Sequence, residues 1–85
     1  MTFSEALNYL KCGRKISRSG WNGKEQYIEL GSNISYMRPN GEIINVNNIT
    51  MGSRVIVFHG TMGEQVGWLA SQGDLLSNDW QVIPD

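Results

Sequence analysis

Turn residues cut this chain at short intervals, and that spacing sets what it can build. Asn22-Gly23, Pro39-Asn40-Gly41, the stretch His59 to Glu64 and Asn78-Asp79 separate brief apolar or alternating runs. Ten glycines against two prolines in 85 residues fit tight turns between short strands. A chain of 85 residues has room for one domain, residues 1–85, and no second core. At that size it buries roughly 60% of its unfolded surface, so a monomer is marginal and oligomerisation helps.

The first run is helical. Thr2 and Glu5 form a T-x-x-E capping box, and Phe3, Ala6, Leu7 and Leu10 fall on one helical face. Lys11 suits the negative end of that helix and Gly13 its C′ position. Cys12 reads as a small buried apolar residue. Lys15–Arg18 alternates as a short strand, and Asn22-Gly23 signals a two-residue hairpin into a strand from Gln26 to Leu30. There Tyr27 and Glu29 take one face, Ile28 and Leu30 the other. Trp21, just before the turn, is expected to project from the sheet edge. Ile34–Met37 and Ile43–Val46 form a second hairpin across Pro39-Asn40-Gly41. A polar loop from Asn45 to Ser53 leads to Arg54–Phe58, the most apolar run and a central strand. His59–Glu64 turns the chain into Gln65–Leu69, and Trp80–Ile83 is the last strand. The fold class is α+β: an N-terminal helix packed on a small antiparallel sheet, with a short C-terminal helix before the last strand.

Composition excludes several functions. A net charge of −1 argues against binding DNA or RNA backbones. One cysteine and one histidine supply neither a disulfide nor a zinc site, so no metal or cofactor is expected. His59, before a glycine, reads as a surface residue with nothing nearby in sequence to orient it as a base. The carboxylates are scattered, and no P-loop or dinucleotide fingerprint is present. No stretch approaches the ~20 apolar residues of a membrane helix, which leaves a cytosolic protein as the default. Catalytic residues: none.

Binding chemistry is better represented, above all in Trp68–Trp80, WLASQGDLLSNDW. Ser71 and Asp74 form an S-x-x-D cap for a short helix through Ser77, whose first N–H groups would attract anionic oxygens. Trp21, Tyr27, Tyr36, Trp68 and Trp80 offer aromatic faces; Asn22, Ser71, Gln72 and Asp74 offer donors and acceptors. Arg18, Lys24, Arg38 and Arg54 are available to phosphates. The mix suits a nucleotide-like small molecule better than a polyanion, with a carbohydrate close behind.

Two of these segments resemble one phage and prophage family. FSEALNYLKCGRKISRSGWNGK matches its opening, a capped helix, a basic strand and R-x-G-W-N-G-K, and GWLASQGDLLSNDWQVI matches its W-L-A-S-Q-x-D-x-L-x-x-D-W. Together they cover about half of the chain. The family is the second type of Thoeris anti-defense protein, formerly catalogued only as a domain of unknown function. The resemblance implies a non-enzymatic sponge, a homotetramer that sequesters glycocyclic ADP-ribose between subunits in the cytoplasm of the infected bacterial host, without cleaving it. Some members also bind the cyclic dinucleotides of CBASS immunity at a separate site. Carried onto this chain, the resemblance makes Trp21 and Asn22 one pocket wall and Trp68 a second. Ser71, Gln72 and Asp74 add polar contacts, and Trp80 belongs to the core. On that reading Trp21→Ala is expected to leave the fold intact and abolish binding. The resemblance has Gly67 standing where the family commonly has proline and Gly73 where it has a β-branched or larger residue, and residues 31–53 carry neither motif. The alternatives are a sponge mainly for cyclic dinucleotides or a phage module that binds a host protein.

Overall fold

The computed structural model describes residues 1–21, 25–45 and 53–84. The capping box closes as expected: Thr2 Oγ1 accepts from the Glu5 N–H at 3.2 Å and Glu5 Oε1 accepts from the Thr2 N–H at 3.0 Å. Helix α1 (Phe3–Lys11) follows, with Ala6 and Leu10 fully buried and Phe3 and Leu7 packed beside them. It ends in a Schellman motif, in which the N–H groups of Gly13 and Arg14 reach back to the carbonyls of Leu10 and Tyr9. The φ of +90° at Gly13 makes that closure possible. Cys12, expected to be buried, is exposed, because the C-cap lies off the apolar face of the helix.

The main sheet has the order β6-β5-β2-β1-β7 and is antiparallel throughout. Its strands are β1 (Ile16–Arg18), β2 (Tyr27–Ser32), β5 (Arg54–Gly60), β6 (Gly63–Val66) and β7 (Trp80–Val82). A separate hairpin joins β3 (Ser35–Met37) to β4 (Ile43–Asn45). Its Pro39-Asn40-Gly41 turn has the expected chemistry: the Gly41 N–H donates to Arg38 O and Gly41 takes φ +90°. The run from Arg54 is interior to the sheet, but β2 is the middle strand. Helix α2 (Gln72–Leu76) precedes β7.

Helix α1 covers one face of the sheet. Ala6, Leu10, Ile16, Ile28 and Trp80 form the buried cluster, with Leu30, Ile56, Phe58 and Val82 packed against it. The alternation expected in β2 holds, since Ile28 is fully buried in this core.

Three local expectations are corrected. A two-residue turn at Asn22-Gly23 would pair Ser17 with Ile28, whereas Ile16 pairs with Ile28. The chain already turns at Arg18, where the Trp21 N–H donates to Arg18 O at 3.2 Å. Asn22-Gly23 itself, Lys24, and the loop and strand-end assignments at residues 46–52 lie outside the described residues. The turn expected over His59–Glu64 is tighter, only Thr61-Met62, because Gly60 pairs with Gly63 and both strands run on. And β6 stops at Val66, short of Leu69. The N–H groups of Gly67 and Trp68 both donate to Ile56 O, at 2.9 and 3.2 Å, so two residues oppose one in a β-bulge. Gly67 has φ +84°, as the first position of such a bulge requires.

Candidate functional site

The bulge at Gly67 and the turn at Arg18 have a joint result. Each carries a tryptophan onto the α1 side of the sheet. Trp21 does not project from the sheet edge. Its ring lies edge-on to Phe58, Trp68 and Trp80, with centroids 5.5, 6.3 and 5.3 Å away. Phe3 closes the cluster at 6.4 Å from Trp68 and 5.1 Å from Trp80. Trp80 is 2% exposed and is core, as expected; Trp21 and Trp68 are half-buried at its margin.

Asp74 organises the polar side of this cluster. It closes a capping box with Ser71: its Oδ2 accepts the Ser71 N–H at 3.0 Å, and Ser71 Oγ accepts the Asp74 N–H at 3.0 Å. Its Oδ1 accepts from Arg18 Nη1 at 2.8 Å and from the Trp21 indole N–H at 3.1 Å. The Trp80 indole N–H donates to the Asp74 backbone carbonyl at 2.8 Å. Two of the three indole donors therefore converge on one residue. The third, on Trp68, makes no hydrogen bond among the described residues. Burial alone pushes the Asp74 carboxyl up, but hydrogen bonds from the Ser71 backbone, Arg18 and Trp21 outweigh it and hold the group at about 2.

Arg18 is pinned from a second direction. Its Nε donates to Asp79 Oδ1 at 2.9 Å, and its guanidinium is raised above its ordinary value first by Asp79 and then by Asp74. Asp79 Oδ2 also accepts the Gly20 N–H at 2.9 Å. A Cβ on Gly20 would stand 2.7 Å from that oxygen, so the carboxylate approaches only because position 20 has no side chain. Arg18, Gly20 and Trp21 of the first motif thus interlock with Asp74, Asp79 and Trp80 of the second. This network was not legible in sequence; the i, i+5 carboxylates Asp74 and Asp79 carry no pairing signal of their own.

The other site residues fall as follows. Trp21, Trp68, Ser71 and Asp74 come together at the start of α2, and Gln72 is exposed on its first turn. Asn22 lies outside the described residues, directly after Trp21. The anion attraction expected at that helix start is offset, since the Asp74 carboxylate occupies it. Among the described residues, the cations expected to meet phosphates offer no unpaired charge there, and Lys24 lies outside those residues. Arg18 is enclosed by two carboxylates, Arg38 pairs with Glu42 at 3.4 Å, and Arg54 begins β5 at the end remote from Phe58.

His59 is not a free surface residue. Its side chain is 20% exposed, stacks on Tyr27 at 4.4 Å and places Nε2 2.9 Å from Glu29 Oε1. A carboxylate only accepts, so Nε2 carries the proton. Glu64 lies 3.5 Å from Nδ1. Among the described residues no group of three or more histidine, cysteine or acidic side chains is placed to hold a metal ion. No helix of the described residues is long and apolar enough to cross a membrane.

Similarity to known proteins agrees with this arrangement of motifs. The Thoeris anti-defense 2-like domain profile matches residues 1–83. The chain is 35% identical over 86 residues to "Thoeris anti-defense 2" of Bacillus phage SP01, covering 98% of this chain and 94% of that protein. Both matches span the two interlocked motifs, and the chain belongs to the Thoeris anti-defense 2-like family, whose role is phage anti-defense.

Proposed function

We propose that this protein is a sponge: it binds glycocyclic ADP-ribose, the Thoeris immune signal, and withholds it without cleaving it, in the cytoplasm of the infected cell. The observation that carries this reading is the pair Trp21 and Trp68, half-buried beside Ser71 and Gln72, with the Trp68 N–H unengaged within the described residues. Trp21 and Trp68 supply ring faces, Asn22 and Gln72 amide contacts, and the Ser71 hydroxyl a remaining donor. Asp74 aims Trp21 through its indole N–H, beyond any hydroxyl it accepts from the ligand.

The energetics favour a shared pocket. A nanomolar sponge needs about −12 kcal/mol, and one aromatic stack on a base contributes about 1–3 kcal/mol. Two stacks and a few hydrogen bonds approach that figure only in a preformed cleft. Exposed Leu69, Leu75 and Leu76, at 89, 50 and 72%, flank the site and suit burial against other copies in a homotetramer.

Native mass spectrometry and calorimetry with glycocyclic ADP-ribose and, separately, with cyclic dinucleotides test the reading. Expected is tight binding of the first ligand, recovered intact after denaturation. Product accumulating with time would mean an enzyme; binding of cyclic dinucleotides alone would mean a CBASS sponge. Trp68→Phe, which keeps an aromatic ring and removes the N–H, should weaken binding while leaving the fold. Trp21→Ala is less clean than its sequence position implies, because that ring packs on Phe58 and Trp80.

A further inference from the structure

Helix α1 does not seal the sheet along its whole length. Where its C-terminal half crosses the end of β2 and the start of β5, a recess of about 170 Å³ opens. Leu7 and Leu10 of the helix and Leu30 and Ile56 of the sheet enclose it, the last two paired across the strands. Leu10 is fully buried, whereas Leu7, Leu30 and Ile56 are only partly covered. Lys11 and Arg54 border the opening. Lys11 follows Leu7 by one helical turn and Arg54 precedes Ile56 by two residues, so each cation shares the face of an apolar wall. Both are exposed, and neither makes an ion pair or hydrogen bond among the described residues.

We propose that this recess binds a short-chain aliphatic carboxylate, an inference independent of the sponge reading. Volume sets the length of the chain: an apolar cavity of about 150 Å³ holds one benzene, so this recess takes roughly six carbons. Its walls set the shape. Branched aliphatic side chains line it and no aromatic ring does, so a planar base finds no stacking face there. The two cations set the charge. Among the described residues no acid borders the recess, and Glu29, next to Leu30, lies on the opposite face with His59. Residues 46–52, which lead towards Arg54 outside the described residues, include no acid, and Asp85 follows β7, with two strands between it and β5. The nearest helix end is the C-terminal end of α1, where the dipole is negative; it opposes a doubly charged phosphate more than a single carboxylate. A bound chain lies between helix and sheet and extends the small buried cluster.

The test uses the full chain, labelled for methyl NMR, with butanoate, hexanoate and octanoate as probes and hexanol and hexylamine as neutral and cationic controls. Expected are shifts at the Leu7, Leu30 and Ile56 methyls. The Kd should fall by up to about fourfold per methylene as far as hexanoate and level off once the recess is full. Lys11→Gln and Arg54→Gln, both at exposed positions, should each weaken hexanoate by about twofold to fivefold and leave hexanol unchanged. Unchanged melting of the ligand-free variants separates a lost contact from a lost fold. Hexylamine binding as tightly as hexanoate, or full hexanoate affinity in the double variant, overturns the carboxylate assignment. Shifts confined to the exposed Leu69, Leu75 and Leu76 would mean partition onto that patch and overturn it too. Recess shifts that follow protein concentration and not carboxylate would make a second copy of the chain the occupant, with the same result. No shift with any of the three carboxylates overturns it outright.

Discussion

Asp74 is the residue whose meaning changes most between sequence and structure. In sequence it is a helix cap in a polar run; in the fold it ties β1, the Trp21 turn and α2 together. Its ordinary carboxyl value of 3.8 drops to about 2 in the folded state. A lowered folded-state pKa contributes stability that is complete above the unfolded value and is lost as pH falls through the folded one. The window therefore runs from about pH 4 down to about pH 2, and the contribution above it is about 2 kcal/mol. Urea titrations at pH 7 and pH 2 should show Asp74→Asn less stable than the wild type by about that amount at pH 7, with the gap closing in acid. A second residue-scale outcome concerns Gly20. Gly20→Ala pushes a methyl against Asp79 Oδ2 and should cost about 1–3 kcal/mol, read as a lower urea midpoint.

At the scale of elements, the bulge at Gly67 aims the site. Without it, period-2 alternation from Val66, which pairs with Val57 on the face away from α1, would return Trp68 to that same face. The two N–H groups on Ile56 O keep it on the core side instead. Proline at this position, with φ near −65° and no N–H, could not make this bulge. Gly67→Ala should therefore cost about 1 kcal/mol or more, and tryptophan fluorescence should report altered packing of Trp68. Unchanged emission and stability would show that the bulge does not hold the ring. The capped helix α1 shows the reverse case. Its cap, apolar face and C′ glycine were all readable because each depends on residues within a few positions of one another.

For the whole molecule, the core is small: five residues form the buried cluster, centred on Trp80. Trp80→Ala should then unfold the protein outright, since the loss of about 3–5 kcal/mol is a large share of what 85 residues can hold. Signal binding should act in the opposite direction. At a hundredfold excess over Kd a ligand that binds only the folded state adds about 2.7 kcal/mol, roughly 10–20 °C in melting temperature for a domain this size. A thermal-shift series with glycocyclic ADP-ribose measures it, and no shift at saturating ligand would remove the sponge reading.

By itself the sequence determined the α+β class, both capping boxes, the two faces of β2, the Pro39-Asn40-Gly41 turn and the family. These follow from short-range patterns, in which capping geometry, side-chain period and turn chemistry are decided within a few residues. Where Trp21 and Trp68 point, why Asp79 matters and what His59 touches were decided only by the tertiary structure. The ion pairs of Arg18 span 56 and 61 residues, and a single bulge or one-residue change of register reverses a side chain's face. No local pattern carries that information; it exists only once the two ends of the chain have met.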